Sequence, residues 1–243
     1  MKLLTLDIIV CNEIKYLIEN TPLQEGEKLP SERELTERFE VQRGTVRTGL
    51  KLLLQEGWIC AKERSGYFVA PRRIEKNVYR ISSTSQTVAE MGKKQRLKLL
   101  SISRQEVGKD LSLKLKLPIG TKYYAIERIR YVDDEKVSLE TSAVPYNVAP
   151  DLDKKDLESH SLYDVLEDDY LNNIAFSEQE IIVVESDEYL AKALSIPTGQ
   201  KLVKQQGLVM SKEKEPIEYI EAYMLMDRFV FVNNDLLPKK GRS

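Results

Sequence analysis

Histidine occurs once, at His160, and cysteine twice, at Cys11 and Cys60, in a chain of 243 residues. That scarcity excludes a zinc cluster and a disulfide framework, and leaves both cysteines as small core residues. No run of eighteen apolar residues occurs. The opening stretch MKLLTLDIIVCNEIKYLIEN is interrupted by Asp7 and Glu13, so neither a membrane span nor a signal peptide is expected, and the expected location is cytoplasmic. The chain also lacks a Ser-His-Asp set and a Gly-rich phosphate loop, so no catalytic residues, metal or cofactor are expected. Nor is there an excess of positive charge: 37 Lys and Arg face 39 Asp and Glu. Any affinity for nucleic acid must therefore come from local placement of charge.

What is present divides into two domains. Residues 8–20 place Ile9 or Val10, Ile14, Leu17 and Ile18 at helical spacing. Ser31-Glu32-Arg33-Glu34 is a capping box that starts a second helix running to about Phe39. After a short turn, a third helix over roughly 43–56 buries Val46, Leu50, Leu53 and Leu54. Arg43, Arg47 and Lys51 then form an outward stripe, because residues four apart share a helix face. Trp58–Lys62 and Tyr67–Ala70 alternate as a two-stranded ribbon joined by ERSG, where Gly66 suits a turn position with positive φ. Three helices and a hairpin in this order make a winged helix-turn-helix, whose third helix enters the DNA major groove. Gly44 and Thr45 are small enough for the helix start to approach the groove wall, and its free N–H groups favour a phosphate. Arg33 is placed for a phosphate or an adjacent base. An arginine at the first turn, such as Arg43, can be bidentate to guanine.

The stretch GEKLPSERELTERFEVQRGTVRTGLKLLLQEGWICAKERSGYFVAP resembles the GntR-type bacterial regulator domain. The resemblance implies that Arg33, Arg43, Gly44, Thr45 and Arg47 contact operator DNA and that Gly66 lies at the wing tip. Two departures are visible: Gln42 where Ser is usual, and Gly49 where Ala is common. Gly49 costs about 1 kcal/mol of helix propensity, so a packing reason or plain tolerance must account for it.

The organisation expected is residues 1–70 for DNA binding, a polar linker over 71–84, a second domain over 85–237 and a tail of 238–243. The second domain carries an internal echo. LPIGTKYYAIERIRYVDDEKVSLE at 117–140 is similar to IPTGQKLVKQQGLVMSKEKEPIE at 196–218, with Pro118 and Pro197, Gly120 and Gly199, and Lys122 and Lys201 in register. Each copy reads as helix, turn, strand, charged turn and strand, which predicts a mostly antiparallel sheet with helices on one side and a pocket near the junction of the halves. Arg128 and Arg130 stand where the second copy has Gly207 and Val209. Two apart in a strand, they share a face as a fork for phosphate or carboxylate, or else they form cross-strand pairs with acids on an outward face. Glu140 and Glu218 match if a one-residue slip is allowed.

ERIRYVDDEKVSLETSAVP, HSLYDVLEDDY and PIEYIEAYMLMDRFVF resemble the UTRA effector domain of the HutC branch of GntR regulators, which has a chorismate-lyase-like α+β fold. That likeness implies an effector pocket lined by Arg128, Arg130, Glu140, Ser161, Tyr163 and Glu218 and closed near Ser85 and Gln86. Ser161 also reads as a helix cap and Tyr163 as core. Met224 stands where sugar-phosphate-binding relatives often have tyrosine. The expectation is a homodimeric repressor that reads a near-palindromic operator and answers to a small anion, with a sugar phosphate favoured. The alternatives are a second domain that only dimerises, or a lyase-like enzyme.

Overall fold

The structure, a computed structural model, describes residues 5–21, 23–77, 83–170 and 174–233. It divides into two units, Met1–Arg73 and Ile74–Ser243. In the first, α1 (Leu6–Asn20), α2 (Glu32–Phe39) and α3 (Arg43–Glu56) precede the antiparallel hairpin β1 (Ile59–Lys62) and β2 (Gly66–Val69). The capping box forms as expected: Ser31 Oγ accepts from the N–H of Glu34 at 3.3 Å, and the Glu34 carboxylate accepts from the N–H of Ser31 at 2.7 Å. Val10, Ile14, Leu35, Val46, Leu50 and Leu53 meet in one core, so each helix buries the stripe that its periodicity marks.

Gly49 has a packing reason. A Cβ added there would stand 3.1 Å from Val10 Cγ1 and 3.2 Å from the Asp7 carbonyl oxygen, so the glycine sets how closely α3 approaches α1. Gly49→Leu should lower unfolding free energy by about 1–3 kcal/mol despite the better helix former, because the larger side chain forces the helices apart. Urea denaturation checks this, and an unchanged midpoint would show that the two helices can separate freely.

The second unit runs β3 (Ile74–Asn77), α4 (Thr84–Glu90), β4 (Gln95–Glu106), α5 (Lys109–Leu115), β5 (Lys122–Val132), β6 (Glu135–Pro145), α6 (Leu162–Asp168), β7 (Ile174–Glu185), α7 (Glu188–Leu194), β8 (Lys201–Ser211), β9 (Pro216–Leu225) and β10 (Phe229–Val232). Its six-stranded antiparallel sheet has the order β4-β5-β6-β9-β8-β7, so the two halves of the echo lie side by side and meet at β6 and β9. The echo extends further back than the sequence showed. The Val107 N–H donates to the Thr121 carbonyl at 2.9 Å, and Ser186 repeats the bond to Gln200 at 2.9 Å, just after β4 and β7 respectively.

Three expectations are corrected. Helices cover both faces of the sheet, not one: α6 packs on Tyr124, Ile126 and Val144, whereas α7 packs on Ile129, Leu139 and Leu202. Both sets of alternating residues in β5 and β6 are apolar in part, and each needs cover. Part of the expected linker is strand, since β3 pairs in parallel with β10, Ile74 opposite Phe229. Finally, Glu218 lies opposite Val209 as Ser138 lies opposite Arg130, so Glu218 is the counterpart of Ser138, and Glu140 that of Ile220. The second hairpin turn, closed by Ser211 and Glu215, is longer than the Asp133-Asp134 turn and shifts the register. Residues 78–82 of the expected linker, 234–237 of the second domain and the tail 238–243 lie outside the described residues.

Candidate DNA-binding and effector sites

On α3, Val46, Leu50 and Leu53 are fully buried, which turns Arg43, Gly44, Arg47 and Lys51 to solvent; Thr45 is half-buried. The stripe has an acidic partner that spacing along α3 did not reveal. Glu32 of α2 places one carboxylate oxygen, Oε2, 2.9 Å from Nε of both Arg43 and Arg47. Burial tends to raise the Glu32 carboxyl, but hydrogen bonds from Arg47 and Arg43 prevail and lower it. The two guanidiniums are thus held side by side while more than half of each side chain stays exposed. Arg33 is exposed and pairs with Glu37 at 3.4 Å. Gly66 opens β2 with φ of 100° and is exposed at the hairpin turn, as its positive-φ role requires.

In the second unit a small cavity of about 50 Å³ lies over the junction of the halves. Its floor is Arg128 and Arg130 from β5, Glu140 from β6, and Glu218, Ile220 and Ala222 from β9. Ser161, Leu162 and Tyr163 at the start of α6 form one wall. Ser161 serves both its readings: its Oγ accepts from the Tyr163 N–H at 3.3 Å as a helix cap, and it lines the cavity 2.9 Å from Ser83 Oγ. Because Leu162, Val165 and Leu166 turn to the core, Tyr163 turns to the cavity. Burial first, and then the charge of Glu218, push its hydroxyl well above the usual pKa.

The two arginines are not equivalent. Arg130 is fully engaged: Nε and Nη2 donate to Glu140 at 2.7 and 3.1 Å, and Nη1 donates to Ser85 Oγ and Gln95 Oε1 at 2.9 Å each. Ser138 Oγ adds a 3.1 Å bond to Glu140. Arg128 reaches the same carboxylate only through Nη2 at 3.6 Å, and its buried Nε and Nη1 make no hydrogen bond. The fork expected of the pair therefore resolves into one structural arginine and one with donors free. Burial opposes ionisation of Glu140, but Arg130, Arg128 and Lys76 prevail and hold its carboxyl at about 2. Glu218 goes the other way: burial raises it, although Ser142, Arg128 and Tyr163 pull against the shift.

Of the expected pocket residues, Arg128, Arg130, Glu140, Ser161, Tyr163 and Glu218 come together. Ser85 touches the site through Arg130. Gln86 does not join them: it is exposed, with its amide 3.5 Å from Glu90, because the turn of α4 that carries Thr84 inward carries Gln86 outward. Lys76, Ser83 and Thr84 line the cavity and were not anticipated. Met224 is buried among Ile74, Val88 and Phe229, so an apolar cluster receives it where a tyrosine hydroxyl was the alternative.

A winged helix-turn-helix with an exposed basic recognition helix, and a sheet unit with a buried, charged cavity, define the class of ligand-binding DNA-binding regulators. Residues 9–69 match the family of bacterial regulatory proteins called gntR, and residues 90–230 match the UTRA domain. The chain belongs to the GntR family of bacterial regulators and carries a UTRA domain of the HutC type. Members of this family bind DNA and a small-molecule effector, and its two domains are regulatory, not catalytic. It is 25% identical over 224 residues to the HTH-type transcriptional repressor NagR of Bacillus subtilis, covering 92% of each chain. It is 22% identical over 205 residues to a probable fructoselysine utilization operon transcriptional repressor of Escherichia coli, covering 84% of each. The crystal structure of PhnF from Mycobacterium smegmatis shares the fold with a TM-score of 0.73 at 22% identity, covering 95% of this chain and 100% of that one. Among the described residues no helix is long and apolar enough to cross a membrane.

Proposed function

We propose that this chain is a homodimeric transcription repressor whose grip on a near-palindromic operator is controlled by a small anion bound in the second unit, with a sugar phosphate favoured. Residues 1–70 bind the operator, using Arg33, Arg43, Gly44, Thr45, Arg47, Lys51 and Gly66. The effector contacts Arg128, Ser161, Tyr163 and Glu218, while Arg130 and Glu140 form the support beneath them. The observation that carries this reading is Arg128: two guanidinium donors, buried and without partners, face a cavity bordered by hydroxyl groups. Such donors match the oxygens of a phosphate or carboxylate. That two relatives are named repressors supports the sign of the response.

A cavity of about 50 Å³ has room for a few waters, so a sugar phosphate requires it to open. Of the lining residues outside the six-stranded sheet and α6, which include Lys76 of β3, Ser83 and Thr84 at the start of α4 would move with such an opening. A ligand that prefers the opened form shifts the dimer toward it, and operator affinity falls if that form mismatches the half-site spacing.

The test is equilibrium binding to a fragment from upstream of the protein's own gene, at fixed salt with random DNA as competitor, with and without sugar phosphates. Arg128→Met should abolish the ligand response and keep operator affinity, because Arg130 still neutralises Glu140. Ligand-driven release that persists in this variant would remove Arg128 from the effector site. Operator affinity unchanged in the wild type by every sugar phosphate and small carboxylate would sink the reading as a whole.

A further inference from the structure

Lys76 lies in the stretch that the sequence presents as linker, yet β3 brings it to the cavity. Its strand is fixed at one end by Ile74, which is 2% exposed and packs with Val88, Met224 and Phe229. Two residues on, Lys76 shares the face of Ile74 and lines the cavity with Arg128, Glu140 and Glu218. The charges there do not cancel. Arg130 and Glu140 neutralise each other through two hydrogen bonds. Arg128 retains two bare donors, and among the described residues Lys76 forms no ion pair. Glu218 is the acid left to face both cations, and burial favours its neutral form.

An ammonium drawn partly out of water with no ion-pair partner is costly. Burial brings Lys76 down to about 8, with Arg130 adding to the fall and the charges of Glu140 and Glu218 resisting it. An apolar residue would fill the position without that cost.

We propose that Lys76 is an effector-contacting residue: with Arg128 it grips the doubly charged end of a phosphate ester, and it carries occupancy to the DNA-binding unit. The second half follows from chain order. Ile74, where β3 begins, is joined by a single peptide bond to Arg73, the last residue of the first unit. A ligand that draws Lys76 toward Arg128 therefore pulls on the strand from which the DNA-binding unit leaves. This inference rests on the cavity being the effector site.

The experiment uses the full chain and a panel of glucose 6-phosphate, glucosamine 6-phosphate, fructose 6-phosphate and inorganic phosphate, with glucose as the neutral control. Calorimetry gives affinities for the wild type and for Lys76→Met, and operator binding is measured on both. The expected result is phosphate-ester binding weakened by about 30-fold or more in Lys76→Met. Ligand-free operator affinity, measured on both proteins, sets the baseline from which each response is read. The unfolding midpoint should be unchanged or raised, because a half-buried ammonium with no ion pair has been replaced by an apolar side chain. Equal phosphate-ester affinity in both proteins would overturn the contact. A full operator response in the variant at saturating ester would overturn the relay. If the wild type binds none of the panel, the anionic-effector reading fails and takes this inference with it.

Discussion

Glu140→Gln should cost the protein about 3–5 kcal/mol of stability, the largest effect expected of any single substitution in the second unit. The shape of the side chain is kept and only its charge is lost. What remains is Arg128 and Arg130, 4% exposed each, side by side with no carboxylate between them. The acid limb of the stability curve gives an independent reading. In the wild type the folded-state carboxyl sits at about 2, below the ordinary 4.5. Its stabilisation is therefore complete above about 4.5 and is lost as pH falls from there toward about 2, a span worth roughly 3 kcal/mol. The variant should lack that portion of the acid dependence. Glu218, whose carboxyl is raised, acts with the opposite sign and withdraws stability as pH rises above 4.5. Urea denaturation of both proteins at pH 7 and across the acid range separates the two. A loss below about 1 kcal/mol at pH 7 would mean that water reaches the arginines and that the pair is not buried in solution.

The second large effect is on DNA. Arg43→Ala should weaken specific operator binding by about 1–3 kcal/mol, or roughly 5- to 150-fold, without loss of fold. The side chain is mostly exposed and contributes nothing to the core of the first unit. Its partner arrangement sharpens the expectation. Arg43 and Arg47 share one oxygen of Glu32, so removing Arg43 leaves Arg47 still tethered at 2.9 Å and the neighbouring contact in place. Loss of discrimination between operator and random DNA, measured at fixed salt, identifies Arg43 as a reader of bases. A uniform loss on both DNAs, with a shallower salt dependence, would assign it to phosphate instead.

Much of this molecule is legible in its sequence, and the boundary of legibility is physical. The first unit is built from local signals: the capping box at Ser31 and Glu34, the apolar stripe of α3 and the positive φ of Gly66 each act within a few residues. Glu32 escaped because its role spans a turn to the next helix, where no helical spacing applies. In the second unit the echo disclosed the sheet and the shared face of Arg128 and Arg130. It did not disclose which arginine was spoken for, because that depends on the pairing of Arg130 with Ser138 and Arg128 with Glu140, next to an irregularity of the ladder. Glu218 was misaligned for a similar reason, a longer turn that no periodicity records. Lys76 was hidden most completely. A four-residue strand whose partner lies near the other end of the chain has too few alternations to announce itself.

The two halves of the second unit also carry a historical constraint. At Gly207, which answers to Arg128 in the other half, an added Cβ would lie 2.1 Å from the Glu178 carbonyl oxygen and 2.9 Å from the Gln179 Cα. Neighbouring backbone occupies that space, and no rotamer of any side chain relieves the collision. If both halves descend from one ancestral segment, an arginine fits at this place only after the strand beside it withdraws. The guanidinium that faces the cavity is therefore confined to one half by the main chain of the other, whose own charged contribution is the carboxylate of Glu218.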